Sequence, residues 1–177
     1  MKYFVSVLAL GLAVAMPVAA QDGATPPPGP CEGEAYHQLD FWLGNWEVSD
    51  AEGIVQGVIT ITREEGGCML LERWTSTLGN TGQSYNFYNP ATEEWRQLWI
   101  SQGTIIDYVG GLTDTGSMRL EGTITNHNSA VTAPFTGEWT LNEDGSVTQH
   151  FEQYSTEKDE WIVWFTGIYR RAESDQL

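Results

Sequence analysis

CMLLERWTSTLGNTGQSYNFYNPATEEWRQLWIS, residues 68–101, decides how the rest of the chain is read. Three runs rich in aromatic, β-branched and polar residues, near 68–78, 83–89 and 95–101, are separated by Gly79-Asn80-Thr81-Gly82 and by Asn89-Pro90. Such runs are strands, and such joints are tight turns between antiparallel neighbours. Side chains alternate across a strand, so Glu72, Trp74 and Ser76 share one face, as do Ser84 and Asn86, and then Trp95, Gln97 and Trp99. The opposite parity would turn Arg96 inward, where a charge needs a partner to offset its desolvation.

The same texture continues in both directions. Further strands are predicted near 45–50, 54–63, 104–110, 117–125, 131–141, 147–155 and 160–170, about ten in all. Asp50-Ala51-Glu52-Gly53, Gly66-Gly67 and Glu143-Asp144-Gly145-Ser146 supply more turns. No helical run long enough for a parallel crossover lies between strands, so the economical topology is a β-meander. Closing the meander removes its two exposed edges and predicts an all-β, up-and-down antiparallel barrel. A β-sandwich, which needs longer connections between sheets, is the second reading. Ahead of the first strand, Ala35, Tyr36, Leu39, Phe41, Trp42 and Leu43 predict a short helix ended by Gly44, placed as a lid or plug.

Leu39-Asp40-Phe41-Trp42-Leu43-Gly44-Asn45-Trp46-Glu47-Val48 runs a short apolar segment into a Gly-x-Trp at the first strand, and this pattern resembles the calycins. With residues 67–74, 84–90, 95–99 and 165–171, the chain more closely resembles the exported DUF1579-type proteins, which have lipocalin-like barrels and mostly no established activity. The resemblance covers nearly all of residues 31–171. It implies that Trp46 plugs one barrel end and that an Arg of the last strand packs over it by a cation–π contact. Strand parity favours Arg171 over Arg170 for that contact.

The inward faces collect a candidate ligand-binding set: Trp74, Asn86, Trp95, Gln97 and Trp99. Gln149, Phe151 and Gln153 of the ninth strand and Trp164 or Phe165 of the tenth can extend the wall. Aromatic rings supply contact area and amides fix orientation, which suits a small, partly apolar or aromatic molecule. The eight tryptophans equally suit a barrel filled by its own side chains. Glu72 beside Trp74 is a candidate general acid or base if apolar surroundings raise its pKa, against the alternative of a buried carboxyl satisfied by a partner. Some related barrels hold haem through a histidine, which makes His37, His127 and His150 the candidate ligands; their positions favour surface or capping roles. No cofactor motif, catalytic Ser-His-Asp order or metal-ligand spacing is read.

The ends and the composition bound the remaining classes. Lys2, the apolar run Phe4–Ala15 and the small residues Val18, Ala19 and Ala20 predict a secretory leader over 1–20. A Pro/Gly-rich linker over 21–30, the barrel domain over 31–171 and a tail over 172–177 follow. The expected location is periplasmic or secreted, and no other run is long and apolar enough for membrane insertion. The formal charge of −16, with Lys158 the one lysine beyond the leader, argues against nucleic acid. Cys31 and Cys68, in an oxidising compartment, predict one structural disulfide.

Overall fold

The computed structural model describes residues 29–172. The expected leader, all of the linker except Gly29 and Pro30, and the tail beyond Ala172 lie outside the described residues. The strands are β1 (Gly44–Ser49), β2 (Val55–Glu64), β3 (Met69–Ser76), β4 (Thr81–Asn89), β5 (Glu94–Ser101), β6 (Thr104–Leu112), β7 (Met118–Asn126), β8 (Thr132–Leu141), β9 (Val147–Ser155) and β10 (Glu160–Arg171). Each pairs antiparallel with the next, and β1 pairs with β10 to close a ten-stranded barrel. The up-and-down barrel predicted from the turn spacing is the one observed, and the sandwich is excluded.

The turns form where short polar side chains hold the main chain. Asp50 Oδ1 accepts from the Glu52 and Ile54 amides at 3.1 and 2.8 Å, and Asp144 Oδ1 accepts from the Ser146 amide at 3.0 Å. Such local bonds replace the ladder where the chain reverses.

Closure rests on a short seam, in which Trp46, Glu47, Val48 and Ser49 face Arg171, Arg170, Tyr169 and Ile168. The Arg171 guanidinium carbon lies 3.7 Å from the centre of the Trp46 ring, and its Nη1 donates to the Leu43 carbonyl. Gly44 makes this possible. Its φ is +120°, and a Cβ there would fall 2.2 Å from Arg171 Nη1, so a larger residue would displace the guanidinium.

Residues before β1 form two 3-10 turns, Glu34–His37 and Asp40–Trp42, instead of one regular helix. A segment this short cannot nucleate a stable α-helix alone, and its shape is set by what it packs on. Trp42 is fully buried, its ring 5.6 Å from that of Trp139, and its carbonyl accepts from Trp46 Nε1 at 2.9 Å. The segment is therefore a plug. Three anchors hold it: the Cys31–Cys68 disulfide, the Arg63–Asp40 ion pair, and Trp95 Nε1 donating to the Ala35 carbonyl at 3.1 Å and to Gln38 Oε1 at 3.0 Å. Below it, the barrel interior is filled by Trp46, Ile61, Leu70, Leu120, Trp139 and their neighbours.

The two ends of the barrel are unlike. β1 stops at Ser49 while β10 begins at Glu160, so Glu160–Gly167 pairs with β9 and has no β1 partner. Within that stretch Val163 faces Glu152 and Phe165 faces Phe151, leaving Trp164 as the extra residue of a β-bulge.

The disulfide closes a separation of 37 residues, for which loop-closure entropy corresponds to about 4 kcal/mol. Cys31→Ser is expected to lower the thermal midpoint and to free the plug while leaving the strand signal in circular dichroism. Equal midpoints with and without reductant would show that the other anchors suffice.

Candidate functional site

Opposite the plug, at the end bearing the β1–β2, β3–β4 and β5–β6 turns, the barrel is hollow. A cavity of about 300 Å³ opens there, with Gln56, Ser76, Asn80, Ser101 and Thr104 toward the mouth and Glu72, Gln97 and Gln149 at its base. This volume is at the small end of natural ligand pockets. The turns at this end carry apolar side chains left in solvent, among them Ile54 and Leu78.

Aromatic rings make the walls: Trp74, Trp99, Phe151, Trp164, Phe165 and Tyr169. The bulge in β10 explains how two successive residues, Trp164 and Phe165, both reach the lumen. Glycines explain why the rings leave the lumen free. A Cβ on Gly82 would sit 2.2 Å from Trp99 Cζ2, and one on Gly57 would sit 2.7 Å from Trp74 Cη2. Each indole therefore lies flat over a neighbouring strand where no side chain stands in the way.

Beneath the cavity a belt of polar side chains crosses four strands. Register pairs Glu72 with Ser84, Asn86 with Gln97, and Gln97 with Tyr108, and residues opposite one another in a sheet are close enough to bond. Tyr108 Oη donates to Gln97 Oε1 at 2.5 Å, Gln97 Nε2 donates to Asn86 Oδ1, Asn86 Nδ2 donates to Ser84 Oγ at 2.8 Å, and Ser84 Oγ donates to Glu72 Oε2. One backbone atom sets this direction. Asn86 Nδ2 also donates to the Leu70 carbonyl at 3.2 Å, and a carbonyl only accepts, so the amide has one orientation and every later donor follows from it.

Glu72 ends the chain as its acceptor. It is 3% exposed, and burial pushes its pKa from the ordinary 4.5 up to about 8, with the Ser84 hydroxyl pulling the other way. The phenols of Tyr108 and Tyr169 are raised well above their usual value, chiefly by burial and next by the nearby Glu72. Both remain donors, Tyr169 to Gln149 Oε1 at 2.6 Å.

Of the residues singled out from the sequence, Glu72, Trp74, Gln97 and Trp99 meet on the cavity wall. Asn86 and Trp95 face inward but do not reach it. Asn86 lies in the belt below, and Trp95 belongs to the plug end because its indole N–H is taken by Ala35 and Gln38. Inward parity alone does not distinguish the two halves of a strand. Arg96 points outward, as the parity argument required, and forms a two-pronged pair with Asp107 at 2.8 and 2.6 Å. None of the three histidines is on the cavity wall: His37 bonds Asp40, the His127 amide donates to the Gly103 carbonyl in a turn, and His150 bonds Thr166. Gly57 falls inside a predicted strand, where a lone Gly signals close approach of a neighbour, whereas Gly82, read from the sequence as the end of a turn, is the second residue of β4.

No protein-family model matches the chain, and no curated protein matches it.

Two outcomes follow from this geometry. Between pH 4.5 and about 8 the folded chain keeps the Glu72 proton that the unfolded chain has released, so stability falls as pH rises, by up to about 1.4 kcal/mol per pH unit. Glu72→Gln is expected to remove this slope, and parallel melts of both proteins that fall equally with pH would contradict the buried carboxyl. Gly82→Ala is expected to push Trp99 into the lumen, read as a changed near-ultraviolet tryptophan band with the far-ultraviolet spectrum retained; an unaltered band would mean the ring had stayed in place.

Proposed function

We propose that this protein is an exported binding barrel for a small, partly apolar or aromatic molecule. The observation that carries the reading is the division of one barrel into a packed half and a hollow half, the hollow one walled by rings and floored by polar groups that are already hydrogen-bonded. A preformed apolar cleft with a few fixed polar atoms is what small-molecule recognition requires. The disulfide suits a compartment outside the cytoplasm, which supports the exported reading. Family membership of the lipocalin-like kind is supported by the ten-stranded closure and by the Arg171 contact over Trp46.

A second reading is an enzyme in which Glu72 transfers a proton, favoured by a carboxyl on the cavity wall whose pKa of about 8 lies near neutrality. Among the described residues no second carboxyl, His, Lys or Arg stands on that wall, and burial raises the Tyr169 phenol there well above its usual value, so the carboxyl would work alone, and binding is the better-supported function. The haem reading lacks a histidine on the cavity wall.

Native mass spectrometry of the protein exported from its own host is expected to retain a small molecule that denaturation releases. Trp99→Ala is expected to weaken retention by about 1–2 kcal/mol, roughly tenfold, without unfolding the barrel. A wild-type barrel that emerges empty, or equal retention in both, would count against this site.

A further inference from the structure

The walls of the cavity carry a chemical preference that the binding reading alone does not state. Among the residues lining it, Glu72 is the one acid, and none is Lys, Arg or His. An anionic ligand would meet no opposite charge there. Six aromatic side chains surround the same space, and the face of an aromatic ring attracts a cation, most strongly where water is excluded. The belt beneath adds a third element. Tyr108, Gln97, Asn86 and Ser84 each donate to the next, and the last donates to Glu72, so four polar groups are aligned to stabilise negative charge on that carboxyl. Oε2 receives the Ser84 hydrogen bond, and Oε1 has no partner among the described residues. The chain's formal charge of −16 favours the approach of cations from a distance.

Resting on the binding-barrel reading, we propose that the ligand is an organic monocation, an ammonium group borne on an aromatic or other apolar body, with the ammonium on Glu72 Oε1 and the body between the Trp74, Trp99 and Trp164 rings. Burial favours the protonated Glu72 carboxyl near neutral pH. Binding therefore exchanges one charge for another: the ammonium enters, the Glu72 O–H bond breaks, the carboxylate pairs with the ammonium, and the proton leaves to solvent. The ionisable groups that face Glu72 are Tyr108 from β6 and Tyr169 from β10, both neutral over this range. β2 and β4 place Ile61 and Ser84 opposite it, which carry no charge. A neutral acceptor bound by the protonated carboxyl is the competing ligand chemistry, and it predicts the reverse pH dependence.

Isothermal titration of the full chain with benzylamine, benzyl alcohol and benzoate separates these chemistries, since the three probes share one ring and differ in charge. Benzylamine is expected to bind about tenfold or more tightly than the alcohol near neutral pH, and benzoate most weakly. Its affinity is expected to rise about tenfold per pH unit below the Glu72 pKa, with one proton released per molecule bound in buffers of different ionisation heat. Glu72→Gln is expected to abolish both the slope and the preference for the amine; the proton count in the wild type decides the matter even if that variant fails to fold. Equal binding of amine and alcohol, or tightest binding of benzoate with loss above the Glu72 pKa, overturns the cation assignment while leaving the binding barrel standing. No binding of any probe overturns both.

Discussion

The seam between β1 and β10 is the constraint on which the molecule depends. Four facing residue pairs turn a ten-strand meander into a closed wall, and only a closed wall has an inside. The seam is short, so it is reinforced by side chains: Arg171 lies over Trp46 and also bonds the Leu43 carbonyl. A single arginine thus links the last strand, the first strand and the segment leading into it. Because Trp46 in turn bonds the Trp42 carbonyl, the closure and the plug form one structural unit.

From that unit the interior divides by height. Near the plug, rings and aliphatic side chains interlock. Farther up, the same alternation of residues places indoles over strand glycines and leaves space between them. The polar belt lies at the boundary. Buried polar groups are costly unless bonded, and here register satisfies them in sequence, each strand supplying the acceptor for its neighbour's donor. Glu72 is the exception in kind, because its second oxygen faces the space above and its charge depends on what that space contains.

Much of this was legible in the residues themselves. Turn signals spaced by strand lengths specified ten strands to within a residue or two, and the absence of crossover helices specified their order. Parity placed Glu72, Trp74, Gln97 and Trp99 inward, and the desolvation cost of Arg96 chose the correct parity. Other features were not accessible in this way. Alternation states which face a residue occupies and not how far along the barrel it lies, so Trp95 and Trp99 looked equivalent although one is sealed beneath the plug. The 3-10 geometry of the plug is set by tertiary contacts. The bulge at Trp164 suspends the period of two, which is why Trp164 and Phe165 could not be separated by parity and why both line the lumen. The direction of the hydrogen-bond chain depends on the Leu70 carbonyl, a backbone atom invisible to side-chain patterns.

The unpartnered half of β10 has a consequence for how the molecule behaves among its own copies. Closing a barrel normally removes every edge, yet Glu160–Gly167 keeps one side of its peptide groups unpaired, and its exposed side chains include Trp161 and Val163. A flat, regular edge of that composition is a template for strand addition by another chain. The extra residue at Trp164 interrupts the regular spacing of N–H and C=O groups and increases the local twist, so an incoming strand could not stay in register past it. One inserted residue both completes the aromatic wall and breaks the regularity of the exposed edge.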